Sequence, residues 1–322
     1  MSPAPAAASA AAPALLRRMV ATLFGLRWYV AALLLVLTAK AALTPSFSWL
    51  AKSGVGALQA PSATISGVIA AVGLPFVLIL GGRYLIEFGE KIASKMTEQR
   101  LIIAVQRLYL ARRGAVQRQA QDVTLVLFGS EVAKKGFEVI YKDSWRIVSS
   151  IVAILFWQMS ISPAWVPLLV LSVVPAVLFT WLVGPRIQRA SRSVLALNAA
   201  LAGRTDARRK GDFERSQERL FRSTIWLEVF KWLAERGMDA VLWLSFGLWA
   251  GLSLILDLGL LPSDHDVASA SAVAVNLALL AVPLSDIGKV YTKWREAMPA
   301  VLQVYGGADP NGGGVAGSAA ER

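Results

Sequence analysis

Residues 63–113 read ATISGVIAAVGLPFVLILGGRYLIEFGEKIASKMTEQRLIIAVQRLYLARR. The part up to Leu85 is apolar and has no charge before Arg83, and its length is close to the roughly 20 residues that span a bilayer as a helix. From Ile86 onward, apolar residues recur every three or four positions between charged ones, which is typical of an amphipathic helix. One helix is therefore predicted to leave a membrane and to continue far beyond it.

The composition places the whole chain among integral membrane proteins. Hydrophobic residues make up 56% of the 322 residues and charged residues only 17%, which is less charge than a soluble domain of this size carries. The net charge of +12 is concentrated in two long stretches, from about Arg83 to Arg146 and from about Arg186 to Arg236. Because Lys and Arg accumulate on the cytoplasmic side of membranes, both stretches are predicted to be cytoplasmic. A nucleic-acid partner is not expected, since basic patches have several causes.

Six membrane spans are predicted from the apolar runs. Two loops on the outer side, Gln158–Trp165 and about Asp257–Asp266, are short and lack Lys and Arg. The longest outer loop is Thr44–Ser62, which contains two prolines and two glycines that are typical of turns. The predicted spans are Met19–Thr44, Ala63–Leu85, Trp145–Trp157, Pro163–Val183, Met238–Leu256 and Val267–Leu284.

The predicted domain organisation is a single membrane domain between two tails. Residues 1–18 and 306–322 are rich in small residues and predicted to be disordered, and residues 19–305 form the six-helix domain. A cleavable signal peptide is an alternative for the first apolar run, with Arg17 and Arg18 as its basic region and Ala39–Ala41 as a small-residue cleavage site. The retained helix is preferred because the apolar run is long and Lys40 interrupts the cleavage motif.

Three segments of the chain resemble parts of the transmembrane domain of ABC exporters of the six-helix type. GAVQRQAQDV at residues 114–123 is similar to the family's G-(D/E)-(I/L)-x-S-R-(x)₃-D-(V/T) pattern, with Gly114, Arg118 and Asp122-Val123 in corresponding places. Ala115 replaces the acidic residue of that pattern, and its Ser is missing. The other two segments are the basic stretch Pro185–Arg192 and the helix Leu280–Leu302.

The resemblance implies an all-α membrane fold with long cytoplasmic extensions. In that family, helices 2–3 and 4–5 project into the cytoplasm, and each pair ends in a short coupling helix that rests on a nucleotide-binding domain. Carried over to this chain, the coupling turns are Gly114–Asp122 and Thr205–Asp212, with basic residues at Arg208 and Arg209. The resemblance also implies a homodimer with exchanged fourth and fifth helices. The helical spans together with the size and simplicity of the chain indicate a bacterial inner membrane, and the side on which Lys and Arg accumulate predicts that both termini are cytoplasmic.

The chain differs from complete ABC exporters in its nucleotide chemistry. It contains no G-x-x-x-x-G-K-[ST] loop, and the Gly-rich run Gly312–Ser318 has no Lys and no helix pattern after it. The chain is therefore not expected to be an enzyme or to hold a cofactor, and any ATP would be bound by a separate partner subunit. Metal binding is not expected either, because the single His265 lies in an outer loop without convergent ligands.

The predicted function is that of a permease subunit that moves a substrate by alternating access, coupled to a separate ATP-binding subunit. Two alternatives remain open at this point. The same fold occurs in transporters without ATPase domains that use a proton gradient, and a non-transporting membrane scaffold would also fit the sequence.

Two pairs of charged residues lie at predicted inner membrane boundaries. Arg83 and Glu87 are four residues apart at the end of the second span, and Asp286 and Lys289 are three apart at the end of the sixth. One interpretation places them in an inward-facing cavity, where Glu87 and Asp286 would be the residues to test for proton coupling. The other treats each pair as an ion pair on one helix face at the membrane boundary.

Overall fold

The computed structural model describes residues 5–61, 64–113, 119–204, 210–256, 258–259 and 267–305. Within these ranges every regular element is helical, which confirms the all-α class. The helices are α1 (Pro5–Phe24), α2 (Arg27–Leu43), α3 (Ser46–Gln59), α4 (Ile65–Arg113), α5 (Gln119–Glu138), α6 (Ser144–Ile161), α7 (Val166–Arg204), α8 (Lys210–Leu256) and α9 (Val267–Val304). A π-turn (Val139–Asp143) joins α5 to α6, and a 3₁₀ turn (Pro163–Trp165) precedes α7.

In the described part of the chain, five helical stretches are long and apolar enough to cross a membrane. By length and composition the chain is therefore an integral membrane protein. The remaining predicted span, the fourth (Pro163–Val183), corresponds to a shorter described apolar stretch, Pro163–Phe179. The five stretches are Arg27–Gln59, Ile65–Leu110, Gly129–Ile161, Arg236–Leu256 and Val267–Tyr291.

The long helices extend as the sequence predicts. α4 has 49 residues and ends at Arg113, where its amphipathic pattern ends. α7 continues through Pro185 to Arg204, and α8 has 47 residues from Lys210. These lengths exceed the roughly 20 residues of a membrane span about twofold, because each helix has a periodic apolar face beyond its uniformly apolar part, after it in α4 and α7 and before it in α8.

Three predictions about the first 62 residues are wrong in the described part. Residues 5–18 belong to α1 rather than to a disordered tail, since Ala is the strongest helix former and Leu15 packs in a core. The first apolar run is divided at Gly25, where Leu26 N–H turns back to the Leu23 carbonyl at 2.9 Å. The predicted loop 44–62 contains α3, whose Leu50 is buried, so packing offsets the low helix propensity of its two glycines.

Packing divides the chain into two units. The first comprises the described residues of Met1–Leu37, Glu87–Trp145 and Lys293–Arg322, and the second those of Thr38–Ile86 and Arg146–Thr292. The core of the first unit is formed by α1, α2, α4, α5, the π-turn and α9, with the fully buried side chains Met19, Leu33, Leu101, Val105, Phe137 and Val301. The second unit contains three smaller apolar clusters, with Leu168, Leu169, Leu242, Val273 and Leu277 fully buried.

Candidate functional site: an ion-pair network at a π-turn

The π-turn is closed by hydrogen bonds from one serine. The Val139 carbonyl accepts the backbone N–H of Ser144, five residues later, and also the Ser144 hydroxyl at 2.7 Å. A serine can donate from both its backbone and its hydroxyl, so it satisfies this carbonyl twice. π-turns are rare, and they occur frequently at functional sites.

The π-turn brings two carboxylates to one lysine of α9. Lys293 Nζ lies 2.7 Å from Glu138 Oε2 and 2.7 Å from Asp143 Oδ2. On a regular α-helix, residues five apart point about 140° away from each other. In a π-turn, whose hydrogen bonds join residues i and i+5, two residues five apart lie one turn apart on the same side of the helix. The wider turn therefore allows Glu138 and Asp143, both almost fully buried, to share one ammonium group.

Four further contacts extend this pair into a network of alternating charge. Lys142 Nζ donates to Ser94 Oγ at 2.6 Å and to Glu98 Oε1 at 3.1 Å. Lys134 Nζ lies 3.8 Å from Glu98 Oε2 and 3.6 Å from Glu138 Oε1. Three carboxylates thus face three ammonium groups across α4, α5, the π-turn and α9. A buried charge is costly unless it is paired and hydrogen-bonded, and this alternation meets that requirement.

Lys293 follows the apolar stretch of α9, and its surroundings keep it charged. Burial alone would lower the pKa of Lys293, but the hydrogen bonds and charges of Asp143 and Glu138 outweigh it and raise that pKa above its usual value. A raised pKa in the folded state stabilises the fold below the unfolded-state pKa, and this contribution is lost as pH rises through the folded-state value. The contact is therefore fully present at neutral pH.

A glycine allows α5 and α9 to approach closely beside the network. A Cβ atom on Gly136 would lie 2.9 Å from Val301 Cγ2 and 3.1 Å from the Ala297 Cβ. Nearby, the buried Tyr109 hydroxyl donates to the Ala300 carbonyl at 3.3 Å. α9 is thus held against α4 and α5 by close packing as well as by charge.

The boundary residues predicted to line a cavity lie elsewhere. Asp286 accepts hydrogen bonds from Arg146 Nη2 at 2.9 Å and from Lys289 Nζ at 3.3 Å, so it forms the predicted boundary pair with Lys289 and Arg146 joins it. Arg83 is exposed, with its guanidinium 5.6 Å from the centre of the Phe47 ring. Glu87 is half-buried and belongs to the first unit. That these residues line a substrate cavity stays a prediction.

Most of the predicted coupling residues fall outside the described structure. Gly114, Arg118, Arg208 and Arg209 are among the undescribed residues, as is His265. Asp122 and Asp212 lie in the first turns of α5 and α8, and their side chains are outside the description. Along the chain these segments lie between α4 and α5 and between α7 and α8, and their role as coupling turns stays a prediction.

None of the six charged members of the network was predicted as a site residue from the sequence. One local signal was available, since Lys134, Glu138 and Lys142 alternate in sign at a spacing of four residues. Lys293 gives no such signal because its partners are distant in the chain. Among the residues that the structure describes, no three His, Asp or Glu side chains are grouped so that they could hold a metal.

A second buried polar group joins α6 and α9 within the second unit. Asn276 Nδ2 donates to Gln158 Oε1 at 2.8 Å, and Gln158 Nε2 donates to the Ser162 carbonyl at 3.0 Å. Lys52 of α3 donates to the neighbouring Ile161 carbonyl at 2.8 Å, so it caps the C-terminal end of α6. Both amide side chains are fully buried, and the Asn276 Oδ1 atom has no hydrogen-bond partner.

This amide pair predicts two unequal substitutions. Gln158→Leu is expected to lower the free energy of unfolding by about 2 kcal/mol, because it leaves the Asn276 amide and the Ser162 carbonyl unsatisfied. Asn276→Leu is expected to lower the free energy of unfolding by at least about 1 kcal/mol less than Gln158→Leu does. The reason is that it removes the unsatisfied Asn276 Oδ1 atom while it leaves the Gln158 oxygen unsatisfied instead. Denaturant unfolding of the purified variants measures both. Equal costs, or a larger cost for Asn276→Leu, would contradict the hydrogen-bond assignment.

No protein-family model matches the chain, and no curated protein matches it. The resemblance to the ABC exporter transmembrane domain therefore rests on the residues quoted above and stays a prediction.

Proposed function

We propose that the protein is the permease subunit of a membrane transporter, and that a separate ATP-binding subunit drives it by alternating access. The observation that carries the proposal is the length of the helices that leave the apolar stretches. α4 continues for about 28 residues past Leu85, which is roughly 40 Å of helix, and α8 has a similar length before its apolar stretch begins at Arg236. Helical arms of this length can transmit a movement of a soluble partner at their far ends to the membrane-spanning part of the chain.

The two connecting turns are the proposed docking sites for the ATPase. Arg118 in the first turn, and Arg208 and Arg209 in the second, are basic and suit an acidic surface on the partner. In this proposal the arms and both termini are cytoplasmic, in a bacterial inner membrane, because the basic residues of the chain concentrate in the arms.

The ion-pair network supports transmission of movement in the first unit. It connects the arm formed by α4 and α5 to α9 through buried charges, and a buried pair that loses one partner costs several kcal/mol. When the arm is displaced, moving the attached part of α9 with it therefore costs less free energy than breaking the buried ion pairs.

A homodimer is the second part of the proposal, and the α8 surface supports it. Leu227 of α8 is buried against Val183 and Ile187 of α7. On the opposite face of α8, the large side chains of Phe221 and Trp232 are 61% and 62% exposed, and Trp232 lines an open apolar groove of about 310 Å³. A helix that is apolar on both faces is typical of a buried helix. A second copy of the chain would cover this face.

The test is gentle solubilisation of the protein from native membranes after crosslinking, followed by identification and mass measurement of what co-purifies. We expect a dimer of this chain with a stoichiometric soluble ATPase whose sequence contains a phosphate-binding loop. The double variant Arg208→Glu/Arg209→Glu should release the ATPase and leave the dimer intact. Arg219→Glu, an exposed charge reversal within α8, is the matched control and should release nothing.

A dimer that is reproducibly free of any ATPase would overturn the ATP-driven proposal. A proton-driven transporter would then be the favoured function. In such a transporter, Glu87→Gln and Asp286→Asn should abolish the dependence of uptake on a pH gradient. A dimer without uptake or substrate-dependent conformational change would indicate a scaffold.

A further inference from the structure

The part of α4 that belongs to the first unit has an exposed apolar stripe along one face. Five large apolar side chains recur there at intervals of four or seven residues, and each is between 40% and 65% exposed: Phe88, Ile92, Met96, Ile103 and Leu110. At 3.6 residues per turn, these positions fall within an arc of about 80° and extend about 33 Å along the helix. The opposite face is the one that packs, since Leu101 and Val105 are fully buried in the core of the first unit.

Basic residues flank this α4 stripe on both sides. Two lysines lie along one edge and two arginines along the other, and all four are exposed: Lys91, Lys95, Arg100 and Arg107. The only acidic residues between positions 88 and 110 are Glu90 and Glu98, and both are partly buried. Apart from Gln99, which lies within the stripe, the exposed surface of this segment is therefore apolar and basic throughout.

A lipid bilayer can cover only the beginning of the α4 stripe. The uniformly apolar part of α4 ends near Leu85, and Ile103 and Leu110 follow 18 and 25 residues later in the same helix. Those separations correspond to about 27 and 37 Å of helix, and a helix that crosses the bilayer carries them away from it. Amphipathic helices on a membrane bury their apolar face only about 5–10 Å into the headgroup boundary. The far half of the stripe therefore needs a protein partner.

The charges along the stripe disfavour this chain as its own partner. In a two-fold dimer the same face of each copy meets the other, so the basic edges would lie opposite basic edges. Like charges opposed across an interface disfavour association. The segments that the structure does not describe are unsuitable as well, because the longest of them, residues 306–322, has Val315 as its only large aliphatic or aromatic residue.

We infer that the α4 stripe is the docking surface for an amphipathic helix of a separate protein, with an apolar spine and acidic edges. The spine of that helix would pack along the five apolar side chains, and its carboxylates would lie beside the lysines and arginines at both edges. Helix pairs of this kind gain affinity from the apolar seam and select their partner through the flanking charges. The surface belongs to the first unit alone, and the inference does not require that the protein transports anything.

The first experiment measures the binding of two synthetic peptides to the full chain in nanodiscs of zwitterionic lipid, by fluorescence anisotropy, with empty nanodiscs as the baseline. Both peptides consist of heptads with Leu at positions a and d. One has Glu and the other has Lys at positions e and g. We expect the acidic peptide to bind at least about tenfold more tightly, with an affinity that falls as salt is added, because the flanking charges are exposed. Equal affinity of the two peptides would overturn the inference.

Variants of the chain separate the spine from the edges. Lys91→Glu/Lys95→Glu reverses the charge of one edge and should shift the preference at least about tenfold towards the basic peptide. Met96→Glu places a charge within the spine and should abolish binding of both peptides. Lys135→Glu, which reverses an exposed lysine on α5, is the matched control and should change neither affinity. An unchanged preference in the edge variant would overturn the inference, and that variant is sufficient by itself if Met96→Glu does not fold.

The second experiment identifies the partner in native membranes. A photo-crosslinking amino acid replaces Gln99, which is exposed within the stripe, and mass spectrometry locates the attached residue in the adduct. We expect attachment to a separate protein, in a segment whose apolar residues recur every three or four positions between acidic ones. Attachment to a second copy of this chain, to lipid or to a segment without that pattern would overturn the inference, and so would the absence of any adduct.

Discussion

Replacing Lys293 with methionine is expected to lower the free energy of unfolding by about 3 kcal/mol. Methionine keeps most of the length of the lysine side chain and removes its charge, so the main loss is electrostatic. Glu138 and Asp143 would be left in a buried position without the ammonium that lies 2.7 Å from each of them. Thermal or denaturant unfolding in a fixed detergent measures the change.

The control for this prediction is Arg222→Met. Arg222 and Glu218 also form a close pair, at 2.8 Å, but their side chains are 74% and 56% exposed. Exposed pairs of this kind contribute less than about 0.5 kcal/mol, so the control should unfold almost as the wild type does. The alkaline loss of stability that follows from the raised pKa of Lys293 should also disappear in Lys293→Met. If both variants lost the same stability, the buried network would not be the source of the effect.

Replacing Gly136 with leucine is expected to lower the free energy of unfolding by about 3 kcal/mol. The first added carbon would already lie 2.9 Å from Val301 Cγ2, which is closer than Cβ contacts occur in proteins, and a tight 3.1 Å from the Ala297 Cβ. Val301 is branched at Cβ and cannot easily rotate away. α5 and α9 would have to separate, and the separation would also lengthen the contacts of Lys293. Unfolding under the same conditions as for Lys293→Met measures this cost.

Gly247→Leu provides the matched comparison on another long helix. Gly247 is exposed on α8, and a Cβ atom there would meet nothing within 4 Å. Leucine favours helix over glycine by about 0.8 kcal/mol, so this variant should be as stable as the wild type or slightly more stable. A similar loss in the two variants would show that leucine for glycine is harmful in general and that the close approach at Gly136 is not the cause.

The sequence predicted the helical class and the extended helices because those properties are local. The course of α4 follows from an apolar run that changes into a three-to-four periodicity, and its end at Arg113 follows from Arg112-Arg113-Gly114. Basic residues and their clustering are likewise read directly from the chain. The errors occurred where local signals conflicted with packing, as in α3, where glycines typical of a loop lie in a helix whose Leu50 is buried.

The candidate site depended on tertiary structure. Lys293 and Asp143 are 150 residues apart, and no spacing pattern connects them. The sequence pattern does not reveal the π-turn either, because the residues of Val139–Asp143 are compatible with an ordinary helix. In the structure the wider turn is closed by hydrogen bonds from Ser144, and it lets Glu138 and Asp143 contact one ammonium group. Helix formation depends on neighbours along the chain, whereas pairing of buried charges depends on which helices meet. The residues alone therefore established long membrane-associated helices, and the fold alone brought the six charges together.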